Sequence, residues 1–326
     1  MTRSRLARGV AVALLVVAAP VTLARLLGSV GLDTVTPSVQ LVGLAPLAGA
    51  VLLVALAAAV VAPVGRRLVV VLLVAVALHA GWALAPLVAD RLGPESDRGD
   101  AVVLRLLSVN ARFGNAHADE VVALVRDLDV DVLAVQELTA PLAGDLGRAG
   151  LAELLPHEVA VRVPGAAGAA TFSRWPLTAL GAPSTTFTTL VTEVAVPGAA
   201  EGVTVVNVHT WPPLPGTVER WRRDHALLRG AVADLPGRVV VAGDLNATRD
   251  HSAMRALLRA GDLAEVADGR AWAPTWPADQ PFPSVLRLDH VLAGPGVAPT
   301  GPATAHRVVG SDHLAVAADL VLDASP

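Results

Sequence analysis

Residues 239–246 read Val-Val-Val-Ala-Gly-Asp-Leu-Asn, an apolar run that ends in Asp244 and Asn246. A short apolar run rich in β-branched residues and closed by Gly243 predicts a buried β-strand. A carboxylate and an amide that directly follow such a strand stand where α/β proteins build their sites. The stretch therefore predicts an α/β fold with polar chemistry at a strand end. A simple turn is the competing interpretation, because Gly, Asp and Asn all favour turns.

The same arrangement recurs along the chain. Apolar runs end in Asn110, in Gln136-Glu137 and in His209, while Asp289 opens a further run and Asp312-His313 precedes the last one. Each of these residues alone has a plain structural interpretation as a turn, a cap or a packed side chain. Six polar strand ends in one domain are difficult to obtain from core packing alone, so together they predict one site.

Strands and helices are interspersed over the second two-thirds of the chain. Helical patterns fall at about 117–128, 217–234 and 251–260. Strand-like runs fall at 101–109, 130–135, 187–196, 203–208, 238–242, 288–293 and 314–322. This mixture predicts one α/β domain with a sizeable core.

The N-terminal third is different in kind, because it consists almost entirely of Ala, Val, Leu and Gly. A helix needs about 20 apolar residues to span the hydrocarbon of a bilayer. The pattern predicts three transmembrane helices at about 9–28, 40–62 and 68–89, the first of them only if Arg25 reaches the interface. Residues 1–92 are then a membrane anchor, 93–103 a linker and 104–326 the catalytic domain. A signal peptide is the alternative interpretation of the first stretch.

Arginine placement predicts the orientation of this anchor. With the N-terminus inside, most arginines of the anchor are cytoplasmic, and only Arg25 and Arg91 lie outside. Three spans then place the catalytic domain on the outer face. The predicted location is the cell membrane, with a multi-pass anchor and an extracytoplasmic domain.

Composition narrows the class of function. The chain has no cysteine, which excludes disulfides and thiolate metal sites. Residues 1–97 carry a net charge of +3 and the remainder −7, and aromatic residues make up 3% of the chain. Nucleic-acid binders usually present a basic face or stacking aromatics. Neither a basic face nor a set of stacking aromatics is visible in the sequence. This makes a nuclease the less favoured interpretation without excluding it.

The residue types at the strand ends suit phosphate ester chemistry. Carboxylate and amide oxygens are the ligands that Mg²⁺ or Mn²⁺ prefers. Attack on phosphorus needs an activated water and stabilisation of negative charge on the phosphoryl oxygens. A histidine beside an aspartate serves either need, because the carboxylate fixes the tautomer and favours the imidazolium.

In this order and spacing the motifs resemble the endonuclease/exonuclease/phosphatase superfamily, here as a membrane-anchored bacterial member. The resemblance covers about 104–322. The superfamily includes deoxyribonucleases, abasic-site endonucleases and neutral sphingomyelinases. It rests on seven short motifs: Asn110, Gln136-Glu137, Ser173-Arg174-Trp175-Pro176, Asn207-Val-His209, Gly243-Asp244-Leu-Asn246, Leu288-Asp289-His290 and Ser311-Asp312-His313. The implied fold is a four-layer α/β sandwich, two mixed β-sheets face to face with helices outside.

The resemblance also implies roles. Glu137 is implied as the main metal ligand, with Asn110 beside it on the metal or the phosphate, and Asp312 as a further ligand. The implied catalytic residues are Asp244 as acid or base, Asn246 on the phosphate, His209 on a phosphate oxygen, and His313 oriented by Asp289. The implied cofactor is Mg²⁺ or Mn²⁺.

Three functions remain open at this level. The first is a divalent-metal-dependent phosphodiesterase or phosphatase acting outside the membrane, on a lipid headgroup or a small phosphodiester. The second keeps the chemistry and takes extracellular nucleic acid as the substrate. The third is a non-catalytic, membrane-tethered binding module. The lipid bilayer is the predicted partner of the N-terminal helices, and no protein partner is evident.

Overall fold

The computed structural model describes residues 3–61, 65–92, 102–199, 201–266 and 273–322. The chain divides into two units. The first contains the N-terminal helices together with Pro213–Val218 and Thr248–Arg255, and the second contains the β-sheets. The N-terminal helices are α1 (Arg3–Ser29), α2 (Ser38–Val42), α3 (Ala45–Val61) and α4 (Arg66–Leu92).

Within the first unit, two helices are long and apolar enough to cross a membrane, over Arg5–Ser29 and Arg66–Ala85. The predicted middle span at 40–62 does not form one continuous helix, since it is divided at Gly43 and Leu44 into the 5-residue α2 and the 17-residue α3. Pro46, the second residue of α3, gives the physical reason. Proline has no amide hydrogen to donate and its ring clashes with the carbonyl group four residues earlier.

Arg25, which is expected to reach the membrane interface, has a side chain buried in the first unit. There its Nε lies 2.5 Å from Oδ1 of Asp250 and its guanidinium lies 4.7 Å from the ring of Trp82. A buried charge needs such a partner, because desolvation without one is costly. His79 in α4 hydrogen-bonds Thr22 of α1 at 3.0 Å and the carbonyl oxygen of Ala45 of α3 at 2.9 Å.

Between positions 102 and 322, the described residues form thirteen strands and five α-helices. The strands are β1 (Val102–Asn110), β2 (Val132–Gln136), β3 (His157–Val161), β4 (Ala169–Ser173), β5 (Leu177–Ala179), β6 (Leu190–Val194), β7 (Val203–His209), β8 (Arg238–Asp244), β9 (Ala264–Glu265), β10 (Asp289–Ala293), β11 (Val297–Pro299), β12 (Thr304–Arg307) and β13 (Leu314–Leu322). The helices are α5 (Ala118–Asp127), α6 (Ala140–Arg148), α7 (Leu151–Leu154), α8 (Val218–Ala233) and α9 (Ser252–Ala260).

These strands form two mixed sheets. The first has the order β11-β13-β1-β2-β4-β3, with β12 also paired to β13, and the second has the order β5-β6-β7-β8-β10-β9. Strands β1 and β2 run parallel, as do β7 and β8, while the other pairs are antiparallel. The predicted four-layer α/β sandwich is confirmed.

The core explains why both faces of the central strands are apolar. On β1, Leu107 and Val109 pack in one cluster with α5 and α6, whereas Leu104 and Leu106 pack in a second cluster with residues of β7, β8 and β10. Successive side chains of a strand point to opposite faces, so a strand between a helical layer and a second sheet must be apolar on both. Asn110, His209 and Asp244 stand at the ends of such strands.

Candidate active site

Strand register aligns three of the predicted residues. His209 at the end of β7 pairs with Asp244 at the end of β8, and Asp244 pairs with Asp289 at the start of β10. Because β10 runs antiparallel to β8, its first residue lies at the edge where the other two strands end. One row across the second sheet therefore carries a histidine and two carboxylates, all buried.

Asn110 and Glu137 come from the first sheet. Asn110 is in register with Gln136, the last residue of β2, and Glu137 follows with a left-handed φ of 57°. This conformation is uncommon for a residue with a side chain and is found where a site requires it. The Asn110 amide nitrogen donates to Oε1 of Glu137 at 3.1 Å and to Oδ2 of Asp244 at 3.0 Å. Asn110 thereby joins the two sheets at the site.

Asn246 is held against Asp244 by the turn that follows β8. Its backbone amide donates to Oδ1 of Asp244 at 2.8 Å, and its side-chain amide donates to the carbonyl oxygen of Thr210 at 2.9 Å. The φ of Asn246 is 42°, a second left-handed residue at the site. Gly243 is required here because its φ is +144° and a Cβ would lie 2.0 Å from the carbonyl oxygen of Val208.

His313 and Asp289 form the predicted pair. The Nδ1 atom of His313 lies 2.9 Å from Oδ2 of Asp289, and Nε2 lies 3.8 Å from Oδ2 of Asp244. Thr275 donates its hydroxyl to the same Asp289 oxygen at 2.6 Å. Ser311 donates to the carbonyl oxygen of Asn110 at 2.7 Å and accepts from the backbone amide of His313 at 3.0 Å.

The ring of His209 has a defined tautomer. Its Nδ1 lies 3.2 Å from the carbonyl oxygen of Ala166, which can only accept, so Nδ1 carries the hydrogen. In the neutral ring Nε2 is then an acceptor, and it lies 3.5 Å from Oδ2 of Asp244 and 3.8 Å from Oε1 of Glu137. Burial lowers the pKa of His209 to about 3, with the nearby His313 acting in the same direction.

The pKa values of the two other central groups, Asp244 and His313, are raised. Burial raises the pKa of Asp244 to about 7, although the positive charge of His313 opposes the shift. Burial also opposes charge on His313, but the carboxylates of Asp289 and Asp244 together outweigh it and raise the pKa of His313 to about 10. Near neutral pH, His209 is therefore neutral, His313 is an imidazolium, and Asp244 is close to its midpoint.

Asp312 stands apart from the other two predicted metal ligands. Its Oδ2 accepts from the ring nitrogen of Trp276 at 3.3 Å, and its Oδ1 lies 3.8 Å from Nε of Arg112. Within the described part of the chain, no hydrogen bond joins the Asp312 carboxylate to Asn110 or Glu137. The pKa of Glu137 is raised, first by burial and in smaller part by the charge of Asp312.

The residues present fit a divalent cation. The acceptor Nε2 of His209 lies 3.5 Å from Oδ2 of Asp244 and 3.8 Å from Oε1 of Glu137, which are also acceptors when ionised. Acceptors so placed repel one another unless a proton or a cation lies between them. Asp244, Asp289 and His313 also have ligand atoms within 4.8 Å of one another. Oxygen-rich sets of this kind suit Mg²⁺ or Mn²⁺.

Several supporting residues were not predicted as parts of the site. Gln136 donates to Oδ1 of Asn207 at 2.8 Å, which joins β2 of one sheet to β7 of the other directly behind Asn110 and His209. Both side chains are fully buried amides, a signal that the sequence contains but that becomes visible only when the strands are paired. Thr275 lies in a proline-rich stretch, 273–287, that the sequence predicts only as a surface loop.

Residues 164–170 read Pro-Gly-Ala-Ala-Gly-Ala-Ala, a composition that predicts a flexible loop tip, and this prediction is wrong. Ala166 supports His209, and Ala169 and Ala170 belong to the buried strand β4. A Cβ on Gly168 would lie 1.9 Å from the carbonyl oxygen of Leu138. Glycine and alanine are present here because the backbone packs closely against its neighbours, which composition alone cannot distinguish from flexibility.

Comparisons with known proteins agree with this architecture. A model of the endonuclease/exonuclease/phosphatase family matches residues 107–313. A solved endonuclease/exonuclease/phosphatase from Bacteroides vulgatus is 17% identical with a TM-score of 0.54, covering 68% of this chain and 99% of that one. Another, from Beutenbergia cavernae, is 21% identical with a TM-score of 0.53, covering 68% and 72%.

A third similar structure is D. rerio TDP2 complexed with a single-strand DNA product, 14% identical with a TM-score of 0.51, covering 67% of this chain and 98% of that one. At these identities the likeness shows the fold alone. No curated protein sequence matches the chain.

Proposed function

Because the chain belongs to the endonuclease/exonuclease/phosphatase family, whose members are phosphoester hydrolases, we propose that it is a membrane-anchored, divalent-metal-dependent phosphodiesterase or phosphatase. Most members of the family need a divalent metal. The observation that carries the proposal is the buried cluster in which Asn110 contacts both Glu137 and Asp244, beside the Asp289–His313 pair. Such an arrangement of carboxylates, amides and an imidazolium suits charge development at phosphorus.

The proposed reaction is attack of water on phosphorus. The oxygen of the water forms the new bond to phosphorus, and Asp244 accepts a proton from that water. The bond from phosphorus to the leaving oxygen breaks, and that oxygen takes the electron pair and a proton from solvent. His313, charged at neutral pH and held by Asp289, donates a hydrogen bond to a phosphoryl oxygen. Glu137 and Asn110 would hold a Mg²⁺ or Mn²⁺ ion, which would supply positive charge to the phosphoryl group.

The tautomer of His209 suggests a revised role for this residue. Since Nδ1 donates to Ala166, the neutral ring offers only a lone pair at Nε2. We therefore propose that His209 accepts a hydrogen from the attacking water or from protonated Asp244, rather than donating to a phosphate oxygen. Asn246, with its side chain on Thr210, holds the Asp244 carboxylate through its backbone amide.

The membrane part of the proposal rests on the exposure of the helices. Apolar side chains such as Val16, Val17, Val54 and Val61 are 60 to 88% exposed within the protein. A stretch of 20 apolar helical residues extends about 30 Å, which matches the hydrocarbon thickness of a bilayer. We propose that these helices lie in the cell membrane and that arginine placement orients the second unit to the extracytoplasmic side.

The test is a substrate panel on the full-length chain in detergent or nanodiscs. The full chain is needed because the first unit includes Pro213–Val218 and Thr248–Arg255, which a truncated protein would leave without their neighbours. Bis-p-nitrophenyl phosphate, p-nitrophenyl phosphate, plasmid DNA and phospholipid vesicles are incubated with Mg²⁺, Mn²⁺ or EDTA. Turnover that EDTA abolishes supports the proposal, and the substrate preferred defines its class. If none of these substrates is turned over, the result would favour a non-catalytic binding module.

A further inference from the structure

An aromatic stack leads from His209 to the surface of the second unit. The ring of Phe187 lies 4.4 Å from that of His209 at an interplanar angle of 23°, and 5.0 Å from that of Trp211 at 29°. The phenyl ring of Phe187 therefore stacks on both His209 and Trp211. The guanidinium of Arg220, an exposed residue, lies 5.0 Å over the ring of Trp211.

A buried carboxylate holds this stack in place. Asp224 on α8 is 1% exposed. Its Oδ1 accepts from the backbone amide and the hydroxyl of Thr186, each at 2.9 Å, and its Oδ2 accepts from the backbone amide of Trp211 at 2.9 Å. Asp224 thus holds Thr186, which precedes Phe187 in the chain, and Trp211, which stacks on Phe187. Burial of a carboxylate is costly unless its oxygens are hydrogen-bonded, and here both are.

The loop that carries Phe187 is also hydrogen-bonded to the segment that holds His209. The backbone amide of Thr188 donates to the carbonyl oxygen of Ala167 at 3.1 Å, and the adjacent Ala166 accepts from His209 at 3.2 Å. One hydrogen bond fixes the direction of a single ring nitrogen but leaves the tilt of the ring open. A flat neighbour at stacking distance restricts that tilt.

We propose that Phe187, held by Asp224, is a positioning residue that fixes the ring plane of His209. This inference rests on the proposed function for the effect on catalysis, but its structural part does not. Phe187 acts through His209 and not on the substrate. Its apolar ring also excludes water from one face of the imidazole, which keeps the acceptor Nε2 directed at Asp244 and Glu137.

The kinetic test compares Phe187→Leu with Phe187→Tyr. Leucine keeps an apolar side chain but removes the flat surface, so we expect kcat to fall about 10- to 100-fold, since misplacement of a reacting group by about 1 Å can cost a factor of 100. KM should change little, and tyrosine should restore most of kcat. Phe172→Leu is the matched control, because Phe172 of β4 is buried in the core cluster shared with α5 and α6 and reports the effect of lost packing alone.

A spectroscopic test separates this inference from the proposed function. In metal-free, full-length protein labelled with ¹⁵N-histidine, the His209 Nδ1–H signal, assigned with His209→Gln, should be protected from exchange in the wild type and in Phe172→Leu. It should be lost or broadened in Phe187→Leu and in Asp224→Asn. An unchanged His209 signal together with unchanged kcat in Phe187→Leu would overturn the positioning role. A changed signal in a protein without hydrolase activity would uphold it and contradict only the proposed function.

Discussion

Asp289 shows how one side chain sets the state of another. His313 is buried, and burial alone disfavours its charged form; the carboxylates of Asp289 and Asp244 reverse this and raise its pKa to about 10. Asp289 also accepts from Thr275, so its own position is fixed. We propose that Asp289 keeps His313 charged at neutral pH.

The first prediction concerns the pH profile of kcat. Asp289→Asn keeps the size of the side chain and removes its charge, so the pKa of His313 should fall. The alkaline limb of kcat should then move from near pH 10 to lower pH by more than one unit, measured with a diester substrate from pH 6 to pH 11. Asp319→Asn, at an exposed position of β13, should leave the limb in place. An unmoved limb in Asp289→Asn would exclude the assignment.

The same shift predicts how stability depends on pH without metal. The folded-state pKa of His313 lies above its usual value of 6.5, so its contribution is complete below pH 6.5 and is lost as the pH rises through about 10. Thermal unfolding in EDTA should show Tm falling between pH 7 and pH 10 in the wild type. The loss should correspond to a few kcal/mol, since one pKa unit is about 1.4 kcal/mol. The slope should flatten in Asp289→Asn, and an equal slope in both would contradict the coupling.

At the scale of elements, strand register brings together side chains that are distant in the sequence. His209, Asp244 and Asp289 are separated by 35 and 45 positions in the chain, yet they form one row because β7, β8 and β10 are adjacent and aligned. The alignment depends on the close approach of β8 to β7 at Gly243. There the backbone of Val208 occupies the space that a side chain would need.

Gly243→Ala should therefore destabilise the protein strongly. The added Cβ would lie 2.0 Å from a backbone carbonyl oxygen at a φ of +144°, so β7 and β8 would have to separate. We expect a loss of roughly 3 kcal/mol or more in the free energy of unfolding, measured by urea denaturation, as for other strained core positions. Gly230→Ala on α8 is the matched control. Nothing lies within 4 Å of its Cβ, and it should stabilise the helix by up to about 1 kcal/mol. Equal behaviour of the two variants would contradict the register argument.

The strand ends also explain what the sequence could and could not predict. Central strands such as β1 and β8 have apolar residues on both faces, so a polar residue at their end is conspicuous, and Asn110, Asp244 and His209 were found in this way. The membership of the family and the four-layer fold were predicted correctly from these ends. Phe187 and Asp224 carry no such signal. Their relation to His209 exists only through contacts between segments distant in sequence, which periodicity does not encode.

At the scale of the whole molecule, composition divides the chain into an apolar N-terminal third and an acidic remainder. Among the residues that the structure describes, two helices are long and apolar enough to cross a membrane, and a further apolar helix, α3, has 17 residues. A helix of 17 residues extends about 25 Å, which is at the lower end of what spans a bilayer. The number of crossings, and with it the side on which the second unit lies, follows from whether α3 inserts.

Fractionation and protease shaving test the membrane proposal. The full-length chain should remain in the membrane pellet after carbonate extraction, because its apolar helices would be costly to expose to water. Protease added to intact cells should degrade the second unit if all three helices cross the membrane. Complete protection in intact cells, with degradation after lysis, would place the second unit in the cytoplasm and indicate two crossings instead of three.

The central claim is that Asp244 serves as the acid–base group of a metal-dependent phosphoester hydrolase. It is tested most directly by comparing kcat of the full-length wild type, Asp244→Asn and Asp234→Asn with bis-p-nitrophenyl phosphate, in Mg²⁺ or Mn²⁺ and in EDTA. Asp234 is exposed and follows α8, so its variant controls for the chemical change. We predict activity in the wild type and Asp234→Asn that EDTA abolishes, and a loss of at least about 100-fold in Asp244→Asn. Metal-dependent activity that persists undiminished in Asp244→Asn would contradict the account.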